Sequence, residues 1–275
     1  MYGLDGKVAL ITGAARGQGR SHAQMLASAG VDIIGIDICA QLETVAYPMA
    51  TTADLDDTAT LVEKQGRRMV AIQADVRDAA AVRSAVQRGV AELGRLDIVL
   101  ANAGIMAHSL PPYANSEQAW QDSIDTMLTG VWNTLQATVP TLIAGQRGGA
   151  ILITSSSAGL RAQTTERSGG ADGYFAAKFG VVGLMKAYAG SLGEHNIRVN
   201  SLHPCGVNTP MVVNDFFPRW IEAHPKTATA LVNALPVEMV DAADVSHAVL
   251  YLVSDAGRFV TGSTFTVDAG LTTVN

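Results

Sequence analysis

Seven short apolar runs alternate with stretches of helical periodicity along this 275-residue chain, and that alternation leaves few architectures open. The runs cover residues 7–12, 31–36 (ending at Asp37), 69–73, 97–101, 150–154, 198–202 and 263–267. They are continuously apolar rather than alternating, which is the pattern of strands buried on both faces. Helical patterns fill most of the gaps, over about residues 17–29, 55–65, 78–93, 116–144, 174–193 and 241–254. Alternation of strand and helix implies right-handed crossovers and a parallel sheet. The chain is therefore expected to form one doubly wound α/β domain over 1–275. About seven strands, helices on both faces and a ligand site at the carboxyl ends of the strands are implied. Apolar residues make up 48% of the sequence, enough for such a core.

Three stretches exceed this minimal pattern. Residues 38–66 are too long for an ordinary connection and contain the turn-like segment 46–52. Residues 160–173 form a polar, glycine-rich loop. Residues 206–238 carry four prolines and the aromatic residues Phe216, Phe217 and Trp220. Long connections in compact domains are often binding loops or lids.

After the first strand come Gly13, Arg16, Gly17, Gln18 and Gly19, and then a helix. Glycine permits positive φ and close approach of backbone N–H groups to a pyrophosphate, and the helix N-terminus adds partial positive charge. Asp37 ends the second strand, where a carboxylate can accept both hydroxyls of an adenosine ribose and repel a 2′-phosphate, which favours NAD. Arg16 argues the other way, because a guanidinium could pair with that phosphate. The carboxylate in direct contact carries more weight.

The formal charge of −6 and the absence of a Lys/Arg-rich run argue against nucleic acid or an anionic membrane as the main partner. No run approaches 18 apolar residues and the N-terminal residues carry no apolar leader, so neither a spanning helix nor a secretory signal is expected. Cys39 and Cys205 cannot build a disulfide framework, and a reducing cytoplasm suits them. The six histidines show no metal-ligand spacing, and no metal is expected.

Several further segments stand in a fixed order: Asp75-Val76, Asn102-Ala103-Gly104, Ser156 three residues before Gly159, Tyr174 four before Lys178, and the stretch 203–210. With the glycine loop, these resemble the short-chain dehydrogenase/reductase family over nearly the whole chain. The resemblance implies a Rossmann-type fold, NAD as cofactor, and Ser156, Tyr174 and Lys178 as catalytic residues. It also implies that Ile38 follows Asp37 at the ribose, that Asp75 and Val76 flank the adenine, and that Asn102, Ala103 and Gly104 line the cofactor. Pro204, Val207 and Thr209 would hold the nicotinamide end, with Tyr174 and Lys178 also touching the cofactor. Asn200 would be a local structural residue. A homotetramer pairing the 116–144 and 174–193 helices is implied as well. The 38–66 stretch resembles that of the mycofactocin-associated, carveol-dehydrogenase-like group. There it implies a cover over NAD and reoxidation by a separate redox carrier.

At i, i+4 on a helix, Tyr174 and Lys178 share a face, and a nearby ammonium would lower the phenol pKa. Such a phenol can exchange the proton of an alcohol, and Ser156 can steady the reacting oxygen. One position departs from the family: Met127 stands where an asparagine usually serves a proton relay. A thioether cannot donate a hydrogen bond, so Thr126 or Thr129, or a water, would substitute and the relay would be weakened. The aromatic 206–238 segment, with His224, suits a small apolar alcohol or ketone, and Met106 and His108 are candidates for the same cleft. The alternative is an NAD-binding sensor with little turnover, for which Met127 is the only support.

Overall fold

All seven runs become strands of one sheet, the inner ones buried along most of their length and the two at its edges, 69–73 and 263–267, partly exposed. The computed structural model describes residues 3–111, 116–162 and 166–274. Its strands are β1 (Val8–Thr12), β2 (Asp32–Asp37), β3 (Met69–Gln73), β4 (Ile98–Ala101), β5 (Gly149–Thr154), β6 (Ile197–Pro204), β7 (Val207–Asn208), β8 (Val240–Asp241) and β9 (Thr264–Val267). The main sheet runs β3-β2-β1-β4-β5-β6-β9, and every pair in it is parallel. Strand order reverses between β1 and β4, which opens a crevice at their carboxyl ends.

The helices are α1 (Gly17–Ser28), α2 (Thr52–Glu63), α3 (Ala79–Leu93), α4 (Ser116–Ile124), α5 (Gly130–Gly145), α6 (Gly169–Leu192), α7 (Phe216–Ala223), α8 (Pro225–Ala230), α9 (Ala242–Val253) and α10 (Leu271–Val274). One face of the sheet is covered by α1, α2 and α9 through Leu26, Leu55, Val62 and Val249. The other is covered by α3, α5 and α6 through Val82, Leu135, Val181 and Met185. Local signals fix where helices begin. Thr51 and Asp54 form a reciprocal capping box at α2, and Asp78 caps α3 by accepting from Ala80 and Ala81.

Three expectations are corrected. The 116–144 pattern is not one α-helix: a π turn over Asp125–Thr129 separates α4 from α5, with Gly130 N–H donating to the Asp125 carbonyl. A single extra residue leaves hydrophobic periodicity almost unchanged, so the interruption is invisible in sequence. The 160–173 loop is shorter than expected, because α6 starts at Gly169, capped by Ser168. The glycines that suggested a loop instead let α6 lie close to α4. A Cβ on Gly173 would stand 2.8 Å from that of Ser123 and 3.0 Å from the Trp120 carbonyl oxygen. Part of that loop, 163–165, lies outside the described residues. The small parallel pair β7–β8 brackets the 206–238 segment and was not expected, being too short to carry a periodicity. Among the described residues, no helix is long and apolar enough to cross a membrane.

Candidate active site

Two adjoining clefts open at the carboxyl ends of the strands. The first is lined by Gly13, Arg16, Gly17, Gln18, Gly19, Asp37, Ile38, Asp75, Val76, Asn102, Ala103, Gly104 and Thr209, so it gathers most of the expected cofactor residues. Its floor is the glycine loop. Gly13 and Gly17 have φ of 70° and 55°, and a Cβ on Gly19 would collide with the Gly13 carbonyl oxygen. The loop is tied to β4 by Thr12, whose hydroxyl accepts from Asn102 and Ala103 N–H (3.0 Å each). Asp37 Oδ2 accepts from Ala15 N–H at 3.0 Å and Oδ1 from Cys39 N–H at 3.1 Å, so this carboxylate also shapes the loop it faces. Gln18 Oε1 is buried without a hydrogen-bond partner, a polar atom left for a bound molecule to satisfy. The cradle, the acidic strand end and this acceptor fit a dinucleotide.

The 38–51 stretch folds over this cleft. Leu42, Tyr47, Met49 and Ala50 join its lining. Besides the Gln73 amide, which donates to the Ile38 carbonyl at 3.1 Å, two bonds among the described residues tie the stretch across the cleft. Tyr47 Oη accepts from Met106 N–H at 3.1 Å, and Thr44 donates to Asp122 Oδ2 at 2.7 Å. The Arg77 guanidinium bridges Asp75 and Asp122, which extends the second tie to Asp75 in the cleft lining. Burial pushes the Tyr47 phenol up to about 12, so it stays a neutral hydroxyl. The Arg16 guanidinium lies 5.9 Å from the Tyr47 ring centroid.

The second cleft shares Gln18, Asn102, Gly104 and Thr209 with the first and adds Ser156, Tyr174, Lys178, Pro204 and Val207. Between them the two clefts hold every residue expected to bind cofactor or act in catalysis. The three neighbouring serines separate by geometry. Ser155 Oγ donates to the Lys178 carbonyl at 2.8 Å, a bond between β5 and α6. Ser156 caps a short 3-10 turn over Ser157–Gly159 and makes a hydrogen bond with Tyr174. Its own carbonyl meets His203 Nδ1 at 2.8 Å, and His203 Nε2 meets Ser201 at 2.8 Å. His203 thus positions the serine from β6, a role that its place in the 203–210 stretch did not disclose.

The expectation for the phenol is corrected. Burial raises the Tyr174 pKa, and the hydrogen bond with Ser156 offsets only part of that. Lys178 shares the face as expected, but its Nζ donates to the Thr154 carbonyl at 2.9 Å and lies 5.6 Å from the phenol ring centroid. Burial lowers the lysine to about 8, so it is charged at neutrality and loses its proton on the alkaline side. Met127, only 1% exposed, fills the π turn beside it. A Cβ on Gly104 would stand 3.7 Å from both Lys178 Nζ and Met127 Sδ. Of the two proposed substitutes for the missing amide, Thr126 lines the first cleft.

A family model described as Enoyl-(Acyl carrier protein) reductase matches residues 13–272. The chain is 52% identical over 268 residues to an uncharacterized oxidoreductase of Mycobacterium tuberculosis, covering 97% of this chain and 96% of that protein. It is 46% identical over 287 aligned positions to (-)-trans-carveol dehydrogenase of Rhodococcus erythropolis, covering 99% of each. The crystal structure of carveol dehydrogenase from Mycobacterium avium in complex with NAD superposes with a TM-score of 0.91. It shares 48% identity, over 98% of this chain and 99% of that one. The chain is a short-chain dehydrogenase/reductase.

The outer wall of this dehydrogenase/reductase's second cleft is apolar. Met106, His108, Phe217 and Trp220 line it as the sequence suggested, with Met127, Val212, Leu231 and Leu271. Two expected members do not. Phe216 lines a separate cavity beside Arg219, because successive helical residues diverge by about 100°. His224 lies behind Trp220, its Nδ1 meeting the Trp220 carbonyl at 2.9 Å. Asn200 is structural as expected, bonding Val260 O and Ser263 N–H. Glu166 carried no sequence signal, yet it is 2% exposed and binds both His108 and Trp220.

Proposed function

We propose that this enzyme moves a hydride between NAD and the hydroxyl or carbonyl carbon of a small, apolar secondary alcohol or ketone. The observation that carries this is the meeting of Ser156, Tyr174 and Lys178 where a glycine-cradled cleft adjoins an apolar one. Tyr174 exchanges a proton with the reacting oxygen, Ser156 hydrogen-bonds that oxygen, and Lys178 supplies positive charge behind the phenol. NAD, when bound, supplies the hydride acceptor or donor. Gly13, Gly17 and Gly19 bring backbone N–H groups to its pyrophosphate, with Arg16 and Gln18 at the edges. Asp37 and Ile38 take the adenosine ribose, Asp75 and Val76 the adenine. Asn102, Ala103, Gly104, Pro204, Val207 and Thr209 take the nicotinamide half. Burial keeps Tyr174 protonated near neutrality, the form that donates to a carbonyl; oxidation of an alcohol is favoured on the alkaline side.

The carveol dehydrogenases among the relatives, one of them solved with NAD, support both the cofactor and an alcohol substrate. The cover formed by Leu42, Tyr47, Met49 and Ala50 slows NAD exchange, so a separate redox carrier of the mycofactocin kind reoxidises the cofactor in place. Residues 206–238 act as a substrate lid over the same single domain. The enzyme works in the cytoplasm as a homotetramer. Native mass spectrometry after mild purification tests the core of this reading. NAD is expected on the protein and is expected to become NADH when a secondary alcohol is added. A protein that holds NAD and reduces it with no alcohol in a broad screen, artificial acceptor present, would instead be a sensor.

A further inference from the structure

The wall of the apolar cleft also presents His108, a titratable side chain that the proposed reaction leaves unused. His108 follows β4 and is 6% exposed. Its Nδ1 meets Glu166 Oε2 at 2.7 Å. That carboxylate also accepts from Trp220 Nε1 at 2.6 Å, from Ser109 N–H at 3.1 Å and from the Ser168 hydroxyl. Burial alone would raise the Glu166 carboxyl, but the His108 bond and the other donors outweigh it and hold it down at about 2. Glu166 is thus an ionised, fixed group, and it fixes the plane of the His108 imidazole in turn, as carboxylates do for functional histidines. The ring packs against Trp220 (centroids 4.8 Å apart) and Tyr174 (5.8 Å).

With Nδ1 committed to the carboxylate, no hydrogen bond within the described residues reaches Nε2. A neutral ring whose Nδ1–H donates to a carboxylate keeps Nε2 as an acceptor, and this ring lines the cleft beside the reacting phenol, where it can serve a substrate hydroxyl. We propose that His108 Nε2 anchors a second hydroxyl of the substrate by accepting its hydrogen bond, so that the preferred substrate is a diol or a hydroxyketone rather than a simple mono-alcohol. This rests on the oxidoreductase reading above. Glu166 is the positioning residue behind the anchor, and its negative charge disfavours a carboxylate at that place.

The test measures binding apart from turnover. NADH-loaded protein, which cannot oxidise an alcohol, is titrated calorimetrically with cyclohexanol, with trans-cyclohexane-1,4-diol and with the matching 4-carboxylate. The diol is expected to bind about tenfold or more tightly than cyclohexanol in the wild type. His108→Phe is expected to bring that ratio close to one, and His108→Gln, which keeps a polar end, to restore part of it. Glu166→Gln is expected to raise KM for the diol more than it lowers kcat. An unchanged ratio in His108→Phe and His108→Gln, or no preference in the wild type, overturns the anchor. Tighter binding of the carboxylate overturns the hydroxyl as the anchored group. If ligands bind with this selectivity but NAD-loaded protein forms no NADH from either alcohol, the oxidoreductase reading fails while the anchor stands.

Discussion

At the residue scale, spacing and chemistry disclosed which side chains meet, but not what their surroundings do to them. Ser156, Tyr174 and Lys178 were legible because a strand end, a helix face and an i, i+4 interval each restrict where a side chain lies. The protonation of Tyr174 was not legible, because it turns on where Lys178 Nζ points, and Nζ is turned to the Thr154 carbonyl. Met127 bears on the same group. With a thioether beside it and burial lowering its pKa to about 8, Lys178 loses its proton as pH rises through that value. In Met127→Asn, a carboxamide gives the ammonium a further polar neighbour, directly or through water. The folded-state pKa then rises, and the alkaline limb of kcat/KM moves to higher pH. We expect turnover at pH 9 to increase by roughly two- to tenfold, the gain in protonated fraction that a pKa rise of up to about one unit gives there. Identical profiles for the variant and the wild type would rule out a weakened relay.

At the scale of elements, apolar runs exposed all seven strands of the sheet, the inner ones because burial on both faces leaves little polar alternation, whereas the edge strand β9 alternates between exposed and half-buried residues. Elements defined by geometry rather than burial were hidden. The π turn at 125–129 and the two-residue strands β7 and β8 are of this kind. The length of the 38–66 stretch was obvious, but its direction was not. Only folding shows that Tyr47 and Thr44 tie it across the first cleft to Met106 and Asp122. These two ties carry a prediction. Thr44→Val together with Tyr47→Phe removes both while keeping the shapes, at about 0.5–1.5 kcal/mol for each hydrogen bond. Bound NAD is expected to leave about tenfold faster, followed by trapping the released cofactor with a second enzyme. An unchanged release rate would show that the stretch does not retain the cofactor.

On the whole-molecule scale, α4, α5 and α6 leave Trp120, Trp132 and Phe179 between 41% and 46% exposed. Large apolar side chains grouped on neighbouring helices are suited to a subunit interface. Sedimentation at micromolar concentration is expected to give a tetramer, and a monomer would refute that assembly. The larger arrangement is the one on which function depends. The β1–β3 half contributes the glycine loop and Asp37, the β5–β6 half contributes Ser156 and Pro204, and the two clefts adjoin at Asn102 and Gly104, with Tyr174 on α6 lining the second. Rapid mixing of NAD-loaded protein with a substrate alcohol, followed by NADH absorbance, tests that arrangement directly. The wild type should form NADH in one burst, and Tyr174→Phe, with equal NAD occupancy, should form it about 10²- to 10⁴-fold more slowly. A Tyr174→Phe protein that reduces its NAD as fast as the wild type would contradict the account.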